Sequence, residues 1–132
     1  MSFLNDLSFG QEGEAYLKEW IKKRGASAEL TEDKASCDII LPATNTKIEV
    51  KSDRWTLTTG NICLELWSHL PNGTPGWVQV ASADVLAYLL YNERNVVADV
   101  LFYNFWGLRD FIFWNVLNGD WYNEKPLLGE IK

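Results

Sequence analysis

Asp38, Glu49 and Lys51 are the residues of this 132-residue chain whose types and spacing point most directly to chemistry. They stand in residues 37–51, CDIILPATNTKIEVK, where two short apolar runs that read as buried strands carry three ionisable side chains. Along Thr46–Lys51 side chains alternate between faces, so Glu49 and Lys51 are neighbours on one face while Ile48 and Val50 point the other way. If residues 37–41 pair back across the four-residue loop 42–45, Leu41 falls opposite Thr46, Ile39 opposite Ile48, and Asp38 opposite Glu49. Two facing carboxylates repel unless a cation or good solvation lies between them. A hard divalent ion such as magnesium would take their oxygens and keep positions open for water and phosphate. A lysine two residues along could then hold or deprotonate the attacking water, which is the chemistry of phosphodiester hydrolysis. The competing reading is a solvated edge hairpin with a Glu–Lys pair, and the spacing favours neither.

These residues need elements to position them. Residues Gln11 to Arg24 predict a helix capped by Ser8 or Asn5, with an apolar stripe of Tyr16, Leu17, Trp20 and Ile21 and a stop at Gly25. Glu14 sits at the edge of that stripe, from which it could reach toward the sheet and join the site, although its spacing alone favours a pair with Lys18 one turn on. Residues 52–61, SDRWTLTTGN, read as a hydroxyl-rich loop. Arg54, Thr59 and Asn61 from this loop could hold phosphate oxygens, or the loop could be simply solvated. Ile62–Trp67 reads as a third strand containing Glu65, and Ser68–Gly76, with two prolines and Asn72-Gly73, as a turn or a lid.

Further on the chain becomes strongly apolar. Val85–Tyr91 and Val96–Tyr103 flank Asn92–Asn95 and predict a hairpin of two strands buried on both sides, with a helix over 83–91 as the alternative. Asn104 predicts an N-cap for a helix from Phe105 to about Leu117, stopped by Gly119. That helix carries Phe105, Trp106, Phe111, Phe113 and Trp114, more aromatics than one narrow core-facing stripe uses. Some of this surface is expected to form a homodimer contact, unless the helix packs over the sheet with all of it.

Composition bounds the class. At this length the chain is expected to form one domain, residues 1–132, able to bury about two-thirds of its unfolded surface. Cys37 and Cys63 lie in apolar runs without a CxxC pair and with only one histidine, so buried free thiols in a reducing cytoplasm are expected rather than a disulfide framework or a zinc site. No leader and no apolar run near twenty residues is visible, so secretion and membrane insertion are not expected. The net charge of −6 counts against non-specific nucleic-acid binding but not against a nuclease, which needs acidic metal ligands. Basic residues cluster instead, at Lys18, Lys22, Lys23 and Arg24 on the helix and at Lys47, Lys51 and Arg54 around the hairpin. On the helix the cluster also suits a solvated face with positive charge at its C-terminal end. No glycine-rich phosphate loop, nucleophile elbow or internal repeat is present.

The order of a helix with an acidic residue, then Asp38, then Glu49-Val50-Lys51 resembles the PD-(D/E)XK nuclease superfamily. Gly10-Gln11-Glu12-Gly13-Glu14-Ala15, with Tyr16-Leu17 and Gly25 after it, is similar to the opening helix of resolvase-like members. Thr59-Gly60-Asn61 through Glu65, then Gly76-Trp77 and Ala83-Asp84, are similar to small phage nucleases of this class. The likeness runs from Phe9 to Tyr91, with Cys37 in place of the motif's proline. It implies an α/β, restriction-endonuclease-like domain, a mixed central sheet flanked by helices, that cleaves DNA with magnesium or manganese. It leaves open whether the target is a branched junction, as for a structure-selective Holliday-junction resolvase, a particular duplex sequence or single-stranded DNA, and it suggests the cytoplasm of a bacterial or phage-infected cell. Asp38 and Glu49 would bind the metal, Glu14 would support it from the helix, and Lys51 would position or activate the water. The alternatives are an inactive member of the fold that binds DNA or a protein, and an interaction protein working through the aromatic segment from Leu101 to Trp121.

Overall fold

The computed structural model describes residues 3–33, 37–65 and 67–117. The chain opens with helix α1 (Phe3–Lys23), followed by strands β1 (Glu29–Leu30), β2 (Ile39–Leu41) and β3 (Thr46–Asp53), then the single-turn helix α2 (Thr56–Thr59). Two short strands, β4 (Trp67–His69) and β5 (Thr74–Pro75), pair with each other and lead into the one-turn helix α3 (Trp77–Val80). Strands β6 (Val85–Tyr91) and β7 (Val97–Asn104) and helix α4 (Phe105–Ile112) follow, and α4 continues as a π-helical turn over Phe113–Leu117. The result is an α/β fold on a mixed five-stranded sheet of order β1-β2-β3-β6-β7, in which only β3 and β6 run parallel.

Helix α1 starts well before the predicted Gln11, and Asn5 and Ser8 lie within it rather than capping it. Its end is as expected. Gly25 adopts φ +91°, its N–H bonds to the Lys22 carbonyl, and the Ala26 N–H returns to Ile21, the paired bonds of a Schellman stop. Leu17 and Ile21 are buried and Trp20 half-buried, but Tyr16 stays exposed. The helix lies close on β3 at Gly13, where any Cβ would overlap Ser52 Oγ and stand 3.4 Å from the Tyr91 hydroxyl.

The sheet separates two cores. On the α1 face Leu17 and Ile21 pack with Ile39, Ile48, Val50, Ala87, Leu89 and Tyr91. On the other, Leu86, Tyr88 and Leu90 pack with Cys37, Ala81, Ala83 and Phe105. Each buried Leu, Ile, Val or Phe among them is worth about 1.5–3 kcal/mol. Strand β6 therefore contributes to both faces, as a continuous apolar run should. Strand β7 does not: it is a half-exposed outer strand, against the expectation of burial on both sides. The expected hairpin register of β2 and β3 is present, with Leu41 opposite Thr46 and Ile39 opposite Ile48.

Three further expectations change. Strand β3 runs on through Asp53, so the loop predicted from Ser52 begins two residues later and contains α2. Residues 61–65 are not a strand, because their backbone groups are engaged elsewhere: the Cys63 N–H bonds to the Tyr88 hydroxyl and the Glu65 carbonyl to the Val78 N–H. Cys63 is exposed while Cys37 is buried.

Asn104 caps α4 as predicted, its Oδ1 accepting from the Gly107 N–H at 3.1 Å. Phe105 is buried beneath the helix, whereas Trp106, Phe111, Phe113 and Trp114 remain exposed. The predicted stop at Gly119 and Trp121 lie outside the described residues. Among the described residues no helix is long and apolar enough to cross a membrane.

Candidate active site

Strand β2 pairs only with residues 46–48 of β3, so beyond Ile48 one edge of β3 has no neighbouring strand among the described residues. A cleft of about 460 Å³ lies there, and its walls include Asp38, five consecutive β3-side residues (50–54) and Glu14 from α1. Side chains from opposite faces of the sheet can meet in one cleft because the missing strand opens a way around the edge. Asp38 occupies the point where the ladder stops. Its backbone N–H bonds to the Ile48 carbonyl at 2.9 Å, and its Oδ2 accepts from the Val50 N–H at 2.8 Å, standing in for the absent strand carbonyl.

Glu49 lies beside Asp38 and is only 5 % exposed. Its Oε2 is 3.3 Å from Lys51 Nζ, while Oε1 is buried without a hydrogen-bond partner among the described residues. Burial first, and the Asp38 carboxylate second, push its pKa up to about 7, with Lys51 pulling the other way. Lys51 Nζ stands 4.8 Å from the centre of the Trp77 ring, so the ammonium is held between a carboxylate and an aromatic face. From behind, α4 places Arg109 in the field of Glu49. Burial lowers the guanidinium pKa and Glu49 opposes that shift. Arg109 Nε donates to the Val78 carbonyl at 2.7 Å and Nη2 to the Ala81 carbonyl, anchoring it under the site.

Continuing the two-residue period of β3 past Lys51 puts Asp53 on the same face, as the parallel register of Glu49, Lys51 and Asp53 with Leu86, Tyr88 and Leu90 shows. Asp53 Oδ1 accepts from the N–H groups of Trp55 (2.6 Å) and Thr56 (2.7 Å), and Oδ2 accepts from the Tyr88 hydroxyl. Burial raises its pKa, but the hydrogen bonds from Tyr88, Trp55 and Thr56 outweigh it and hold the carboxyl below its ordinary value. For Tyr88, burial and the bond to Asp53 push the phenol well above its ordinary pKa, so it remains a donor. The sequence reading missed this pair. Asp53 was legible as the next residue of the alternation, whereas Tyr88 is 35 residues away with no spacing to mark it.

Of the predicted site residues, Asp38, Glu49 and Lys51 come together, Asp38 and Lys51 in the cleft walls and Glu49 buried beside them outside those walls. Glu14 shares the cleft with Asp38 and Lys51, although among the described residues no three carboxylate, histidine or cysteine side chains gather as one metal-ligating group. Arg54 is a wall residue whose guanidinium stacks 3.7 Å over the Phe9 ring. Thr59 and Asn61 lie outside the walls: Thr59 Oγ1 accepts from the Asn61 N–H, and the Asn61 carbonyl accepts from Thr56 Oγ1. Phe9, Gly10, Trp55, Cys63, Trp77 and Tyr88 complete the walls and were not anticipated.

The donor set suits a hard divalent cation. The Glu49 and Asp38 carboxylates are adjacent oxygen donors, and their mutual repulsion is the cost that a cation would remove. No protein-family model matches this sequence, and comparison with curated proteins finds no match.

Proposed function

We propose that the chain is a metal-dependent endonuclease with a restriction-endonuclease-like fold that hydrolyses DNA phosphodiester bonds. The observation that carries this reading is the buried Glu49 carboxylate set against the Asp38 carboxylate, with Lys51 Nζ 3.3 Å from Glu49 Oε2. Asp38 and Glu49 would hold magnesium or manganese, and Glu14 would support it from α1. When bound, such an ion polarises a phosphoryl oxygen and lowers the pKa of its water.

The protein side chains do the remaining work. Lys51 orients the attacking water and offsets negative charge developing on the phosphate. Trp77 and Glu49 fix the lysine so that little reorganisation accompanies the reaction. Asp38, tied to the β3 backbone through one oxygen, keeps the other directed by the strand rather than by a free rotamer. Arg54 at the cleft wall offers a cation to a neighbouring phosphate.

The test is cleavage of labelled single-stranded, duplex and four-way-junction DNA with and without magnesium, with Lys51→Ala alongside. Metal-dependent cutting that the variant loses supports the reading. Absence of cutting by the wild type with either metal overturns it. A second reading, an inactive member of the fold that binds DNA or a protein, is favoured by one observation: Asp38 Oδ2 is already committed to the Val50 N–H. Calorimetry with magnesium separates the two, since the inactive member would take up no ion.

A further inference from the structure

Three aromatic rings of the cleft differ in what covers them. Phe9 has Arg54 on one side, 3.7 Å from its centre, and Tyr91 at 4.6 Å. Trp77 carries Lys51 and packs against Phe105 with ring centres 6.1 Å apart. Trp55 is 71 % exposed, and among the described residues no ring or cation packs on it. Its mount is nevertheless firm. The Trp55 N–H bonds to Asp53 Oδ1 at 2.6 Å, and Asp53 is itself buried and held by Tyr88, which also accepts from the Cys63 N–H at 2.9 Å. A large ring held out from a rigid backbone into a cleft costs little to order when something stacks on it.

The charge on the walls says what that something is. Lys51 and Arg54 are offset by Glu14, Asp38 and Asp53, and the whole chain carries −6, so phosphate attraction alone gives little grip. Stacking supplies affinity independently of charge, but a base can offer its face to a side chain only when it is not paired and stacked in a duplex. The cleft volume of about 460 Å³ is enough for a compact ligand such as a single base.

Resting on the nuclease reading of the same cleft, we propose that Trp55 is a stacking platform for an unpaired base, so that the substrate class is single-stranded DNA or an unpaired segment within a branched molecule. Specificity of this kind comes from the strand's being open and not from its sequence.

The test uses the whole chain with calcium in place of magnesium, to limit cutting, and reads fluorescence anisotropy of a labelled 15-nucleotide single strand and of the matching duplex. The wild type is expected to prefer the single strand. Trp55→Ala should weaken single-strand binding by roughly 5- to 150-fold, the range for one base on one ring, and collapse the preference, while Trp55→Phe should restore most of it. Thermal melts of both variants establish that they fold. A preference unchanged in Trp55→Ala, or a wild type that binds the duplex as well as the single strand, overturns the inference. A wild type that binds neither DNA also overturns it. Magnesium-dependent cleavage lost in Lys51→Ala is scored separately, so the nuclease reading stands or falls independently.

Discussion

The two ends of one exposed-edge stretch of β3 carry buried carboxylates with opposite fates. Glu49 and Asp53 lie four residues apart on the same face, and both are nearly inaccessible. Asp53 receives three hydrogen bonds and is held as an anion below its ordinary pKa. Glu49 has a single ammonium on one oxygen, a second carboxylate set against it, no backbone N–H donor among the described residues, and a pKa pushed up to about 7. Burial is common to both, so burial does not decide the role. What separates a structural carboxylate from a poised one is whether the surrounding backbone completes its hydrogen bonds.

That contrast can be broken or sharpened by four measurements. The largest effect is expected at the Glu49 end: Lys51→Ala should lower magnesium-dependent cleavage by about 100-fold or more, with far-ultraviolet circular dichroism unchanged. Retention of full turnover would remove the lysine from the mechanism. At the other end, Asp53→Ala should leave the Tyr88 hydroxyl and two backbone N–H groups unpaired and cost about 3 kcal/mol or more in urea denaturation. Glu49→Gln, by contrast, should leave stability near neutral pH equal or higher while abolishing cleavage. Equal losses from the two substitutions would erase the distinction.

The third measurement is pH dependence without metal. Folded Glu49 keeps its proton up to about pH 7, whereas an ordinary glutamate releases it near 4.5, so the folded state binds more protons across that window. Its contribution is full below the ordinary value and is lost as pH rises through about 7, a loss of about 3 kcal/mol. Asp53 acts with the opposite sign: its depressed pKa gives a contribution present above the ordinary aspartate value and lost as pH falls through the folded one. Urea midpoints at pH 5 and 7.5 for the wild type and Glu49→Gln should isolate the Glu49 slope, because the variant flattens it. The smallest effect is a control remote from both carboxylates. Asn104→Ala removes the α4 cap and should cost about 1 kcal/mol while leaving the pH profile in place.

Legibility in the sequence follows the range of the interactions involved. The β2–β3 register and the Asn104 cap are set by residues within a dozen positions of one another, and alternation or capping chemistry reveals them. Glu49 and Lys51 fall together for the same reason. The early start of α1 was hidden because Ser8 and Gly10 are weak helix formers; Gly13, inside the predicted helix, lies against Ser52, a contact 39 residues distant that the sequence does not show. Ile62–Trp67 has a strand's composition, yet Ile62 and Leu64 reach the second core from an unpaired segment while a tyrosine hydroxyl takes the Cys63 N–H. The Asp53–Tyr88 bond and the walls from Trp55 and Trp77 depend on the parallel pairing of β3 with β6, which no local pattern encodes.

The half-exposed β7 has a bearing on how the protein behaves at high concentration. As the last strand of the sheet it presents a row of backbone groups on which a foreign strand could grow, the usual seed of aggregation. Asp99 intervenes: its Oδ1 takes the Val100 N–H at 2.8 Å, filling one position of that row with a charged side chain from the same strand. A newcomer would have to displace a carboxylate to pair there and would meet its negative charge while doing so. The sheet thus carries its own guard against growth at the margin farthest from the cleft.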